Sequence, residues 1–301
     1  MKPNITIIVT CFNAERYLAD CLDSILNQNY EAWEVFFVDD ASNDQSLGIA
    51  RKYATQDQRF KIIENQTNIG HYASINKALG MTQTEFFSRV DADDTIHPDY
   101  LVKCIEVIAS TSKIGAIFVN FRYFNEKGES SDDYPKLVSN KAFGIDQLLP
   151  EGKLKRSRYY FDSSLSDYFR GIGIIRTDLV NKLGGFEEWI SESDILLYLK
   201  IACKANVFCL NDRLYSYRKH STSATSKISE NGQDLNWKKK FLIEANEVLL
   251  ENKILSAREH KKQKQSIVNE YHRHKINRAR KKLNLPSALI HAIKLMINLF
   301  R

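Results

Sequence analysis

Four short apolar runs alternate with amphipathic segments along residues 5–94, and this alternation restricts the fold more than any other feature of the chain. Each run is rich in β-branched or aromatic residues, which is typical of a buried strand. The segments between the runs repeat apolar residues at helical spacing, as from Tyr17 to Leu26. Strands that alternate with helices predict an α/β fold with a mostly parallel sheet flanked by helices. The four runs are Ile5–Thr10, Val35–Val38, Phe60–Ile63 and Glu85–Val90.

The remaining elements are predicted from the same periodicities. A capping box of Ser42 and Gln45 predicts a helix start, and the polar segment 125–168 predicts a long functional loop or a small insertion. The other predicted helices are Tyr72–Leu79, Leu101–Ala109, Asp194–Ala205 and the chain from Lys238 onward. The other predicted strands are Ala116–Val119, Phe121–Phe124, Phe169–Ile175, Val207–Leu210 and Leu214–Tyr217.

Polar turns follow three of the predicted strands. They are Cys11–Asn13, Asp39–Asp44 and Asp91–Asp94. In open α/β sheets, ligands bind outside the carboxyl ends of the strands. We therefore expect a binding site where these turns meet.

The turn Asp91–Asp94 holds three carboxylates within four residues. Uncompensated, such carboxylates repel one another and raise one another's pKa values. A divalent cation removes that conflict, and hard oxygen ligands suit Mg²⁺ or Mn²⁺, which also bind substrate phosphates. The alternative is a solvated acidic turn that caps the helix starting near Pro98.

Two residues of the other turns fit a nucleobase pocket. A carboxylate at Asp40 could accept the imide N–H of a uracil, and Phe12 on the neighbouring turn could stack on the base. The alternative for Phe12 is packing in the core. For the Asp39–Asp44 turn, the alternative is a helix cap at Ser42.

The order of the motifs resembles that of the family 2 glycosyltransferases, which use nucleotide sugars and have the GT-A fold. The motifs are T-C-F-N, S-I-L-N-Q-N-Y, V-D-D-A-S-N-D, N-I-G-H-Y-A-S-I-N, R-V-D-A-D-D, G-G-F-E-E, the segment Asp194–Lys200 and Y-R-K-H. The likeness covers roughly residues 5–223. It implies a Rossmann-like GT-A domain with a helical C-terminal extension.

The resemblance also assigns roles to single residues. Asp40 would bind the uracil edge, Asp91 the ribose, and Asp93 a metal on the diphosphate. The nucleotide-binding positions that it implies are Thr10, Phe12, Asp40, Asn68, Asp91 and Asp93.

Asp194 matches the aspartate that acts as the catalytic base in the family. Arg218 and His220 match a loop that closes over the donor, with His220 as a further metal ligand. A helix N-terminal carboxylate is the alternative for Asp194, and an exposed basic loop is the alternative for Arg218 and His220. The chain departs from the family pattern at Ser193, where glutamate is common, and at Ile75, where arginine is common.

These assignments imply an inverting, Mn²⁺- or Mg²⁺-dependent transferase of bacterial type. It would move a sugar from a UDP-sugar to a hydroxyl of a glycan or lipid-linked acceptor in cell-surface polysaccharide synthesis, such as capsule or O-antigen. The absence of a Q-x-x-R-W signature and of membrane helices favours single or limited sugar addition. Two alternatives stay open: a sugar nucleotidyltransferase, and a nucleotide-binding relative that serves as an assembly scaffold without turnover.

Charge divides the chain into two parts. The net charge is +6, but residues 237–301 hold 16 Lys and Arg against 5 Glu, which leaves the rest mildly acidic. We expect a glycosyltransferase domain at 1–225 and a basic helical region at 226–301. Residues 286–301 predict an amphipathic helix of about 24 Å, shorter than a bilayer core of about 30 Å.

The basic region predicts peripheral binding of an anionic membrane surface through 273–301. The alternative is a helix that packs on the catalytic domain or on a second subunit, giving a homo-oligomer. The region lacks interleaved aromatic residues, which argues against nucleic acid as a partner. Five scattered cysteines without a C-x-x-C pair, and no visible signal peptide, predict a cytoplasmic protein at the inner face of the plasma membrane.

Overall fold

A computed structural model describes residues 5–131, 141–143, 173–189, 193–221 and 234–283. Its chain forms two compact units, Met1–Ser226 and Lys227–Arg301. The first unit is built on a sheet of ten strands. No helix of the described residues is both long enough and apolar enough to cross a membrane.

The first half of the sheet is parallel, with the strand order β3-β2-β1-β4. The central strand β1 is buried along its whole length because neighbours and helices cover both of its faces. This half confirms the predicted alternation of strands and helices. Its elements are β1 (Ile5–Cys11), α1 (Leu18–Leu26), β2 (Trp33–Asp39), α2 (Ser46–Gln56), β3 (Phe60–Glu64), α3 (His71–Met81) and β4 (Phe86–Asp91).

The second half continues the sheet in the order β4-β9-β6-β10-β5, with β7 paired to β6 and β8 paired to β10. Strand β9 runs antiparallel to both β4 and β6, whereas β6 and β10 are parallel. The elements are β5 (Thr95–Ile96), α4 (Tyr100–Ser110), β6 (Ile114–Asn125), β7 (Ser130–Ser131), β8 (Lys141–Phe143), β9 (Ile174–Arg176), α5 (Thr177–Lys182), α6 (Ser193–Ala202) and β10 (Asn206–Lys219).

Two pairs of predicted strands are single strands in the structure. Strand β6 runs unbroken through Asn120, and β10 runs through Asn211 and Arg213 with irregular register between Leu210 and Tyr215. The two strands pair with each other along their length. Shifts in their register accommodate the polar residues that interrupt the apolar pattern.

The predicted capping box at Ser42 is wrong. Helix α2 begins at Ser46, whose N–H donates to Asp44 Oδ1 (2.9 Å). The Ser42 hydroxyl instead accepts the N–H of Asn13 (3.0 Å), which ties the first polar turn to the second. A short polar side chain in a turn can hydrogen-bond either to the start of the following helix or to a neighbouring turn. Sequence spacing alone does not predict which of these bonds forms.

Most of the predicted insertion 125–168 lies outside the described residues, as do 169–172 of the predicted strand Phe169–Ile175 and the terminal helix 286–301. The described part of that strand is β9. Gly173 precedes β9, and a Cβ on this residue would overlap the carbonyl oxygen of Ile117, which explains the glycine at this position.

The second unit contains helices α7 (Asp234–Glu251) and α8 (Ala257–Leu283). Buried apolar residues of this unit are Phe241, Ala245, Val248, Leu249 and Leu255. Glu247 forms an ion pair with Lys264 (2.6 Å), which links the two helices.

Candidate active site

The carboxyl edge of the parallel strands brings the predicted binding residues together. Thr10 on β1 pairs in register with Asp91 on β4 and with Val38 on β2. Asp39 ends β2 beside Cys11, and Asp40 donates its backbone N–H to the carbonyl of Cys11 (2.8 Å). The three polar turns therefore adjoin at one edge of the sheet.

Asp40 holds the loop that precedes α3. Its Oδ1 accepts N–H groups from the Asn65 side chain and from the backbone of Ile69, and its Oδ2 accepts the N–H of Gly70, each at 2.9 Å. The side chain is only 3% exposed. Each carboxylate oxygen has two acceptor positions, so Oδ2 keeps one after its bond to Gly70. Asn68 lies exposed in the same loop.

Phe12 does not belong to the core. It is 49% exposed at the end of β1, next to the turn that carries Asp40. An exposed aromatic ring beside a buried carboxylate is suited to stacking on a base whose edge the carboxylate binds.

The Asp91–Asp94 turn is only partly solvated, because Asp94 is 1% exposed. Its two oxygens accept the Tyr215 hydroxyl (2.8 Å) and the backbone N–H of Arg218 (2.7 Å). Burial, followed by the charges of Asp91 and Asp93, raises the pKa of Asp94 well above its ordinary value. Asp94 thus joins the turn to β10.

Asp91 and Asp93 keep partly open carboxylates. Their side chains are 28% and 30% exposed. Asp91 Oδ1 is buried and accepts no hydrogen bond within the described part of the chain. This oxygen lies 3.6 Å from the Arg89 guanidinium, so the exposed part of the Asp91 carboxylate is the part that a ligand hydroxyl could reach.

His220 lies against Asp93, with 2.9 Å between Nε2 and Oδ2. Burial and the charge of Asp91 raise the pKa of Asp93, and the bond to His220 opposes this rise. Among the described residues, no three His, Cys, Asp or Glu side chains are close enough together to hold a metal. A carboxylate and an imidazole together fit a divalent cation whose other ligands come from a phosphate group or water.

Arg218 does not form an exposed basic loop. Its side chain is 7% exposed, and its guanidinium donates to the Asp93 carbonyl and to Asp20, both at 2.8 Å. The guanidinium carbon also lies 4.8 Å and 4.3 Å from the ring centres of Tyr17 and Phe124. Arg218 therefore anchors the end of β10 to the Asp93 turn.

Asp194 lies in the first turn of α6, with a side chain that is 22% exposed. Its Oδ2 accepts a hydrogen bond of 2.6 Å from the guanidinium of Arg89, and its Oδ1 accepts the N–H of Ile195. The same guanidinium lies 3.6 Å from Asp91 Oδ1. Arg89 thereby links the predicted catalytic base to the Asp91–Asp94 turn.

The G-G-F motif precedes the Asp194 segment and contacts α3. Gly185 has a φ of +76°, and a Cβ there would lie 2.7 Å from Asn76 Oδ1. The Asn76 side chain accepts the N–H of Phe186 and donates to its carbonyl. The close approach of Asn76 and the positive φ both explain why residue 185 is a glycine.

Arg89 and His71 were missed in the sequence analysis, although both lie within the quoted motifs. Arg89 is 7% exposed in β4, F-F-S-R-V-D, whose first five residues are buried. A charged residue inside a buried strand is rare unless it is paired, so the position of Arg89 in the sequence indicates a buried ion pair. His71 lies at the start of α3 and contacts Thr10 (2.9 Å) and Arg89 (3.1 Å). Nothing in its spacing indicates those contacts.

Comparison with known proteins identifies the family. The model of glycosyl transferase family 2 matches residues 6–184. The putative glycosyltransferase EpsE of Bacillus subtilis is 35% identical over 127 residues, which are 42% of this chain and 46% of EpsE. The chain thus spans less than half the length of that relative.

Two solved structures show the same fold. S. aureus TarS 1–349 in complex with UDP-GlcNAc gives a TM-score of 0.68 at 22% identity, over 88% of this chain and 72% of the other. Mannosyltransferase PcManGT from Pyrobaculum calidifontis, in complex with GDP-Man and Mn²⁺, gives 0.58 at 17% identity, over 99% and 81%. With a GT-A-like sheet and more than half of its length matched by the family model, the chain belongs to glycosyl transferase family 2.

Proposed function

We propose that the protein is an inverting glycosyltransferase that uses a nucleotide sugar. The single observation that carries this proposal is the pairing of Asp194 and Asp91 around one buried guanidinium, at 2.6 Å and 3.6 Å. A base at Asp194 then lies beside the turn that would hold the diphosphate. The supporting comparisons are the family match and the nucleotide sugars in the TarS and PcManGT structures.

The donor would lie along the carboxyl edge of β1, β2 and β4. Phe12 would stack on the base, Asp40 would accept its imide N–H, and the exposed part of the Asp91 carboxylate would accept a ribose hydroxyl. Thr10 and Asn68 would complete the pocket from β1 and from the loop before α3. A uracil base suits the acceptor at Asp40, and we therefore propose a UDP-sugar.

Asp93 and His220 fit a divalent cation, as their 2.9 Å separation and their mixed oxygen and nitrogen donors indicate. A bound Mn²⁺ or Mg²⁺ would offset the negative charge of the departing nucleoside diphosphate. Arg218 would keep the Asp93 turn and the end of β10 in register.

Transfer would proceed by a single displacement. The acceptor oxygen attacks the anomeric carbon and forms the new glycosidic bond while its proton passes to Asp194. The bond between the anomeric carbon and the diphosphate oxygen breaks, and its electron pair leaves with the nucleoside diphosphate. One base opposite the leaving group gives inversion.

The acceptor is proposed to be a glycan or a lipid-linked sugar of bacterial cell-surface polysaccharide synthesis. EpsE and TarS support this class only by their family relationship. A lipid-linked acceptor fits peripheral membrane binding by the basic region, where Arg258, Lys261 and Lys262 of α8 are exposed. Loss of vesicle binding after truncation of 284–301 would support this membrane proposal, and unchanged binding would remove it.

The test of the proposed function is nucleotide release from a donor panel of UDP-N-acetylglucosamine, UDP-glucose, UDP-galactose and GDP-mannose with Mn²⁺. Asp194→Asn should reduce turnover by about 10²–10⁴-fold, because the general base is lost. Asp178→Asn is the matched control, since Asp178 lies in the first turn of α5 and pairs with the exposed Lys182. Near-normal turnover in Asp194→Asn would refute the assignment of Asp194 as the general base. Binding of UDP without release from any donor would favour the scaffold alternative.

A further inference from the structure

Four side chains form a continuous hydrogen-bonded chain across the site. Thr10 Oγ1 lies 2.9 Å from His71 Nδ1, His71 Nε2 lies 3.1 Å from Arg89 NH1, and Arg89 NH2 lies 2.6 Å from Asp194 Oδ2. The chain starts at the end of β1 and passes through α3 and β4 to the N-terminus of α6. Three separate segments of the sequence therefore determine where the Asp194 carboxylate lies.

Arginine fixes the proton positions along this chain. A guanidinium carries only donors and stays protonated in proteins, so Arg89 must donate to His71 Nε2. His71 Nε2 is then unprotonated, and Nδ1 carries the hydrogen that it donates to Thr10 Oγ1. Desolvation lowers the pKa of His71 and outweighs the opposing charge of Asp91, although 41% of the side chain is exposed. Both observations agree with a neutral imidazole.

Arg89 itself cannot reach a substrate, because only 8% of its side chain is exposed. Its guanidinium donates to one acceptor, His71, which fixes its orientation, and to one carboxylate, Asp194, which it orients. The buried Tyr198 side chain also interacts with this guanidinium. Asp91 adds a second negative charge 3.6 Å away. Without the guanidinium, the two carboxylates would face each other without a cation between them.

We propose that Arg89 is a positioning residue that fixes the Asp194 carboxylate for proton abstraction, and that neutral His71 holds the Arg89 guanidinium in the required orientation. The inference rests on the proposed role of Asp194 as the base. It adds that the orientation of this base is set by a buried arginine of β4 and by the first residue of α3.

The test is a double-mutant cycle on nucleotide release from the best donor of the panel. Arg89→Met should lower kcat by about 10²-fold, as expected for a misplaced catalytic group, with little change in the donor KM. In the Asp194→Asn background, Arg89→Met should have little further effect on kcat, because the group that it positions is already lost. If the kcat losses of the two single variants multiply in the double variant, the proposal is overturned. It is also overturned if Arg89→Met changes KM but not kcat.

Control variants separate positioning from folding. Arg176→Met removes an arginine of the same sheet that pairs with Glu85, and it should leave kcat unchanged. Arg89→Lys keeps the charge but cannot span both partners, so its kcat should lie between the wild type and Arg89→Met. His71→Gln retains an acceptor for Arg89 and should keep more activity than His71→Leu. Equal kcat values for these two His71 variants would overturn the role of His71.

An independent readout does not need turnover. Nitrogen-15 spectra of the imidazole should show His71 neutral, with hydrogen on Nδ1 and none on Nε2. Hydrogen on Nε2, or a charged ring at neutral pH, would overturn the proposed geometry whatever the activity. If Asp194→Asn retains full turnover, the proposed function fails. If Asp194→Asn is slow but Arg89→Met is normal, only this inference fails.

Discussion

Replacing Tyr215 with phenylalanine tests how the Asp91–Asp94 turn is held in place. The Tyr215 side chain is fully enclosed, its hydroxyl donates to Asp94 Oδ2 (2.8 Å), and it accepts the backbone N–H of Asp91 (3.2 Å). Phenylalanine keeps the ring packing but removes both bonds. Leaving a buried polar group unsatisfied costs about 1–3 kcal/mol, so two unsatisfied partners predict a loss of about 2–6 kcal/mol in unfolding free energy.

Tyr100→Phe provides the matched control. Tyr100 is equally buried, and its hydroxyl makes one bond to the Ser88 hydroxyl (2.7 Å) in the same unit. Its loss leaves one buried polar group, the Ser88 hydroxyl, unsatisfied and predicts a loss of about 1–3 kcal/mol, half of that expected for Tyr215→Phe. Urea unfolding of both variants, fitted with a common m-value, measures the difference. A Tyr215→Phe loss no larger than that of Tyr100→Phe would refute the claim that Tyr215 supports the turn.

Two further predictions concern the base pocket and the G-G-F motif. Phe12→Ala should weaken UDP binding by about 5–150-fold, measured calorimetrically, because a base–aromatic stack contributes about 1–3 kcal/mol. Unchanged affinity would exclude stacking on this half-exposed ring. Gly185→Ala should lower the unfolding free energy by at least about 1 kcal/mol, because φ is +76° and Asn76 lies within 2.7 Å of the new Cβ. Gly80→Ala, on α3 with open space around its Cβ, should instead stabilise by about 0.5–1 kcal/mol, and the same sign for both variants would contradict this account.

The parallel half of the fold was predictable because each element has a strong local period. The runs at β1, β2, β3 and β4 are short and apolar, and the polar turns that end them mark the binding edge. The second half was harder, because β6 and β10 contain polar residues that their mutual pairing accommodates. Ser42 shows the same limit, since its partner Asn13 lies on another turn.

The candidate site divides in the same way. The carboxylates Asp40, Asp91, Asp93 and Asp194 lie in motifs with a recognisable order, so sequence alone could single them out. The residues that hold these carboxylates in place could not be identified from motif order. Arg218 is a buried anchor where an exposed loop was considered, and His71 acquires its role only when α3 approaches β1 and β4.

The most direct measurement of the central claim is the affinity of the intact protein for UDP with and without Mn²⁺. If Asp93 and His220 hold a cation on the diphosphate, Mn²⁺ should tighten UDP binding in the wild type, and Asp93→Asn should abolish most of that gain. Asp99→Asn, on an exposed carboxylate before α4, should keep the full gain. UDP binding that Mn²⁺ does not change, or a gain that survives Asp93→Asn, would contradict the proposed site.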